Sequence, residues 1–237
     1  SIADANPVIN TIVAEALSEF AERLEKAEDF RREAFRIRRH TMRNHKRILY
    51  NGNNYSEEWI KEAESRGLAH LPTTVDAMHC FISEKNISLF TRWGIYTERE
   101  MRSRYDISLE NYAKLIRIEA STMLSMAQRS ILPAVIGYES KIAEAVSAKD
   151  RLGVPNDAEY ALLKGLSAGV NALHKRIGGL FDAIAAMPKG NGEAAEYCRD
   201  RLLPAMGSLR EAADALETIT AKEYWPFPGY EDLLFNL

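Results

Sequence analysis

Between Tyr160 and Met187 the large apolar residues fall at alternating steps of three and four: Tyr160, Leu163, Leu166, Val170, Leu173, Ile177, Leu180, Ile184 and Met187. Only a helix buries such a stripe on one face, because a strand alternates every two residues. The pattern is the seam of a bundle or coiled coil. Pro188 to Gly192 forms a turn, and a second stripe follows at Leu203, Met206, Leu209, Ala213, Leu216 and Ile219, interrupted near Pro204. Two long antiparallel helices joined by a short turn make a helical hairpin. The expected fold is all-α: long antiparallel helices forming a helical bundle, with few or no strands.

The rest of the chain agrees. Asn6-Pro7 starts a helix carrying Ile9, Ile12, Val13, Ala16, Leu17, Phe20 and Leu24. The charged run Glu25–Asp29 breaks or bends it, and a second segment continues to Ile48. Tyr50–Ser56 (YNGNNYS) is a turn-rich loop. Ser56 opens a short helix that ends at Gly67; Pro72 breaks the chain, and Thr73 or Thr74 starts a segment that closes at Gly94. Thr97 and Glu100 have capping-box spacing at the head of a long helix. Its expected apolar face is Ile107, Tyr112, Leu115, Ile116, Ile118, Met123, Met126 and Ile131, with a kink at Pro133. Packed on the hairpin, this helix completes a three-helix bundle. The tail from Trp225 to Phe235 is expected to dock on a surface without regular structure. No internal repeat is evident.

Composition narrows the function. The net charge of −3 gives no overall field that selects nucleic acid or anionic lipid. The only cysteines, Cys80 and Cys198, suit a reducing compartment and buried thiols better than a disulfide framework. No apolar run reaches the roughly 20 residues that span a bilayer. Ser1–Asn6 lacks the charge pattern of a secretory signal. A cytoplasmic location, without membrane or nucleic-acid partners, is expected. The chain opens without methionine, directly into an amphipathic helix, as expected of a piece of a longer protein.

Candidate chemistry is sparse. Arg31–Arg47 is the most basic stretch, read as a solvated helix face with its charges spread around the helix. His40 and His45, five apart, miss the spacing of paired ligands; His70, His79 and His174 are isolated. Glu110 and Glu119 read as surface pairing, Gly52 and Gly190-Asn191-Gly192 as turns. No catalytic, cofactor-binding or metal-ligating residue is assigned.

Two stretches nevertheless carry a resemblance. Ser1-Ile-Ala-Asp-Ala-Asn6-Pro7 resembles the S-x-x-A-N-P-Y-L-A segment of glutamine synthetases. Leu71-Pro72-Thr73-Thr74-Val75-Asp76-Ala77 is similar to their L-P-x-S-L-x-E-A-L, continuing through Gly94-Ile95-Tyr96-Thr97 to Leu109-Glu110-Asn111-Tyr112. Asn51–Trp59, Ile118–Met123, Arg129–Val135, Leu203–Met206 and the Trp225-Pro226 tail resemble the large type III members. The resemblance implies a C-terminal fragment. Residues 1–120 would end the catalytic domain and 121–237 would form a type-specific helical extension.

The resemblance further implies that the parent ligates ammonia to glutamate with ATP and Mg (or Mn). The fragment would hold no cofactor and be inactive alone. Its partners would be the N-terminal catalytic portion and further subunits in stacked rings. The loop at Asn53 and Asn54 would approach the parent's active site. A helical scaffold or interaction module using the 157–220 hairpin is the alternative, and a nucleic-acid binder using Arg31–Arg47 a third reading. The first helix, deprived of the sheet it normally covers, is expected to expose Ile9, Ile12, Leu17 and Phe20.

Overall fold

The computed structural model describes residues 5–235, and every regular element among them is helical. Ser1–Asp4, which open the first resembling motif, and the last two residues lie outside the described residues. The chain divides into two compact units, Ser1–Ser108 and Leu109–Leu237.

In the first unit α1 (Ala5–Glu25) and α2 (Phe30–Asn44) are joined by the expected charged break. Asp29 caps α2 by accepting from Arg32 N–H at 3.0 Å. Arg23 of α1 bonds Glu33 of α2 at 2.6 Å. A 3-10 turn, Lys46–Ile48, leads to the loop before α3 (Glu57–Ser65). Thr73 caps α4 (Thr74–Phe81). The single segment expected up to Gly94 is two helices, because the chain breaks at Ile82 and Ser83 before α5 (Glu84–Arg92). Ser83, in extended conformation, takes the N-cap position of α5.

Gly67 and Gly94 have φ of 71° and 64°. Each donates its N–H to a carbonyl three residues back, while the next residue reaches the carbonyl five back, the Schellman closure. Val75, Phe90 and Met101 form the buried core, with the Phe81 and Tyr96 rings within 6.0 and 5.5 Å of Phe90.

α1 keeps its apolar stripe outside. Ile9, Ile12 and Leu17 are more than half exposed, as expected, while Phe20 is half-buried. Its inner side offers Glu15, which takes hydrogen bonds from Arg92 and from Trp93 Nε1 of the α5 end.

The capping box opens α6 (Glu98–Met126): Thr97 N–H reaches Glu100 Oε2 at 2.7 Å, and Glu100 N–H reaches Thr97 Oγ1 at 3.3 Å. The boundary between units falls within this helix. A π turn, Ala127–Ile131, joins it to α7 (Leu132–Leu152), which ends at Gly153 in the left-handed region. Then come α8 (Asp157–Ala185), α9 (Asn191–Tyr197), a second π turn at Cys198–Leu202, and α10 (Leu203–Glu217). The tail ends in α11 (Tyr230–Phe235), so part of it is helical after all.

Helix α8 is the centre of the second unit, packed on α7 and on α10. Leu166, Leu173, Ile177 and Leu180 of the expected seam are buried, facing Met206, Leu209, Ala213 and Leu216 of α10 in the same core. Tyr160, at the outer end of the seam, is exposed instead and carries Lys164 over its ring at 4.6 Å. Tyr197 Oη donates to Ala183 O at 3.0 Å and closes the hairpin end.

The expected apolar face of α6 is corrected. Of the expected residues Ile107, Leu115, Ile118 and Met126 are exposed, Tyr112, Ile116 and Met123 are half-buried and Ile131 is buried, while the buried positions of α6 itself are Met101, Leu109, Ala113 and Ala120. Ahead of Pro133, where a kink is expected, the helix widens into the π turn. Leu132 N–H bonds back to Ala127 O, five residues earlier, so the wider turn comes just before the proline that lacks an N–H. The same device recurs at Pro204, where Leu203 N–H reaches Cys198 O. A Leu-Pro-Ala step follows each π turn, a local echo too short to register as a repeat.

Candidate functional site

The loop around Asn53 and Asn54 is exposed but tightly built. Asn53 Oδ1 accepts from Tyr55 N–H at 3.0 Å, while Asn53 O accepts from the Ser56 hydroxyl at 3.0 Å and its N–H at 3.2 Å. Ser56 in turn caps α3 by accepting from Trp59 N–H. The Tyr50 ring stacks on Trp59 with centroids 4.1 Å apart. The Arg66 guanidinium lies 5.6 Å from the Trp59 ring centre and donates to the carbonyls of Arg47 at 3.2 Å and Leu49 at 2.8 Å. Glu62 holds the same arginine at 2.8 Å. Gly52 lies against Tyr50; a Cβ there would sit 2.4 Å from Tyr50 Oη. This framework presents Asn54 and Tyr55 to solvent, and Tyr55 is 97% exposed. Asparagine and glycine in the sequence indicated a turn; the stacked support from Tyr50, Trp59 and Arg66 was not legible there.

The histidines stay apart. His40 Nε2 contacts Asn44 Nδ2 at 2.8 Å, and His79 Nδ1 contacts Tyr105 Oη at 3.2 Å. Glu110 pairs with Lys114 at 2.5 Å. No group of three or more His, Cys, Asp or Glu side chains able to hold a metal ion gathers among the described residues. Among the described residues no helix is long and apolar enough to cross a membrane.

The basic stretch differs from expectation. Ile37 is the buried side of α2, and at about 100° per residue all six arginines of the helix fall on the half turned away from it. They form one broad exposed face rather than a ring of charge. The Arg38 guanidinium rests 5.4 Å from the Phe35 ring centre.

Burial and partners set the titrations. Hydrogen bonds from Thr97, backbone first and hydroxyl second, lower the Glu100 pKa. The Lys149 hydrogen bond lowers that of Glu159, and Arg23 that of Glu33. Burial raises the Cys198 thiol, whose Sγ lies 3.9 Å from Ala113 O. Cys80, expected to be buried, is exposed.

Comparison with known proteins agrees with the resemblance read from the motifs. The family model of the glutamine synthetase C-terminal domain matches residues 33–150, spanning the loop, α3 to α6 and nearly all of α7. A glutamine synthetase of Butyrivibrio fibrisolvens is 36% identical over 85% of this chain and 29% of its own length. A type-3 glutamine synthetase of Dictyostelium discoideum is 35% identical over 96% of this chain and 32% of its own. A glutamine synthetase of Bacteroides fragilis is 26% identical over 96% of this chain and 33% of its own. The chain thus spans about a third of the length of these relatives. On the helices, the ordered motifs and these matches together, the chain belongs to the glutamine synthetase family through its C-terminal domain.

Proposed function

We propose that this chain is the C-terminal part of a type III glutamine synthetase that ligates ammonia to glutamate at the expense of ATP. The observation that carries this reading is the 35% identity to a type-3 enzyme over 96% of the chain, beyond the 33–150 domain match into the hairpin and tail. In the intact protein, ATP and Mg (or Mn) would bind outside this segment, where phosphoryl transfer draws on their charge. This segment is inactive alone. Residues 121–237 serve packing and assembly of the subunits into rings, a role suited to a helical bundle with extensive aliphatic seams. The cytoplasm is its expected location.

The 51–59 loop contributes to the intact enzyme as a rigid projection near the active site. Its support is the stacked Tyr50–Trp59 framework beneath the exposed Asn54 and Tyr55.

Two measurements test the reading. Glutamine formation from glutamate, ammonium, ATP and magnesium is expected with the intact protein and absent with this chain. Activity in this chain alone overturns the inactivity, and silence in both overturns the synthetase assignment. Sedimentation of the intact protein ended at residue 120 is expected to show loss of the rings; normal rings overturn the assembly role.

A further inference from the structure

One helix face and one groove of this chain are chemical complements. On α2 the exposed side carries Arg31, Phe35, Arg38, Arg39 and Met42, which the helical step gathers within about 100° of arc. Phe35 is 54% exposed and Met42 57%, two turns apart. Residues 31–47 hold eight Lys and Arg against the single acid Glu33, in a chain whose net charge is −3. Glu33 is engaged by Arg23 and Arg36. Arg31 and Arg39 make no ion pair among the described residues.

The groove lies in the second unit, between α6 and α10, with the tail beside it. It encloses about 560 Å³ and is lined by Met123, Met126, Leu209, Trp225 and Phe227. Its acids are Glu119, Asp214 and Glu217, and its one base, Arg210, is held by Asp214 at 3.2 Å. Glu119 and Glu217 have no ion pair among the described residues. An amphipathic helix docks in such a groove through apolar anchors at i and i+7. Methionine linings adapt to those anchors, and indole and phenyl faces attract guanidinium groups.

We infer that the α6–α10 groove receives α2 of a second copy of this chain, with Phe35 and Met42 on its methionine-lined floor and Arg31 and Arg39 facing Glu119 and Glu217. Charge complementarity selects this occupant: the groove is acidic, and α2 is a strongly basic helix with exposed apolar anchors. The exposed α1 stripe lacks such arginine flanks. The inference rests on the assembly reading and specifies the surface that assembly uses.

A charge-exchange series on the full chain tests it by sedimentation velocity across protein concentration at low salt. Arg31→Glu with Arg39→Glu is expected to weaken self-association roughly tenfold or more, and so is Glu119→Lys with Glu217→Lys. The four changes together are expected to restore it to within about threefold of the parent. Circular dichroism checks that each variant stays helical. If one does not, Phe35→Ala replaces it, with the same loss expected. Association indifferent to either reversal, or not restored by all four changes, overturns the pairing. So does a chain that is monomeric at every concentration, whatever else fills the groove. Rings that persist in the intact protein ended at residue 120 would instead remove the assembly reading, so the two failures are told apart.

Discussion

Gly169 of α8 lies directly against Leu216 of α10: a Cβ on the glycine would stand 2.4 Å from Leu216 Cδ2 and 3.0 Å from its Cγ. Leu216 is fully buried, so its side chain has little room to turn aside. Overpacking a filled core costs about 1–3 kcal/mol. The gain of alanine over glycine in a helix is about 0.5–1 kcal/mol. Gly169→Ala is therefore expected to lower stability, by up to about 2.5 kcal/mol. Gly137 and Gly179, also helical, would have nothing within 4 Å of an added methyl, and alanine there is expected to stabilise by about 0.5–1 kcal/mol. Urea denaturation of the three variants checks the opposite signs.

Gly52 lies against the Tyr50 ring. Its alanine variant pushes a methyl into the Tyr50 ring that stacks on Trp59. The expected outcome is a loosened 50–59 loop with the helices intact. Limited proteolysis is expected to cut the variant in this loop several-fold faster, while circular dichroism stays unchanged.

The capping box gives a pH dependence. The folded-state pKa of Glu100 is lowered, first by the Thr97 backbone N–H and then by its hydroxyl. A lowered carboxylate contributes stability that is present above its unfolded pKa of about 4.3 and is lost as pH falls through the folded value. Acid unfolding compared between the parent and Glu100→Gln is expected to show a smaller loss of stability below about pH 4.5 in the variant.

The two thiols are expected to react differently. Cys80 is exposed, whereas Cys198 is buried and its thiol is held protonated by burial. A thiolate is the reacting species. A thiol reagent at about pH 7.5 is expected to label Cys80 promptly and Cys198 only after denaturation, read by peptide mass spectrometry.

The hairpin was legible because its buried positions on α8 are large aliphatics, such as Leu173 and Ile177, that stand out against polar neighbours. On α6 the same reading chose the wrong face. Ala113 and Ala120 bury there, and alanine gives little hydrophobic contrast, while Leu115 and Ile118 stand out from an exposed side. Similarly, the arginines of α2 looked dispersed until Ile37 fixed which side faces in. The Thr97–Glu100 cap needed only local spacing and was readable directly. The stacking of Tyr50 on Trp59 depends on how a loop folds back and was not.

The π turns at Ala127–Ile131 and Cys198–Leu202 act as phase shifters. Each inserts one extra residue and so rotates everything after it by about 100° relative to an uninterrupted helix. Deleting a single residue from the second turn therefore leaves a helix of ordinary geometry with Met206, Leu209, Ala213 and Leu216 still toward α8, whereas a regular α-helix through all the present residues would swing them toward water. The two helical arms are therefore keyed to α8 by angle as much as by hydrophobicity, and each π turn is where the arm absorbs a residue of length without losing that angle.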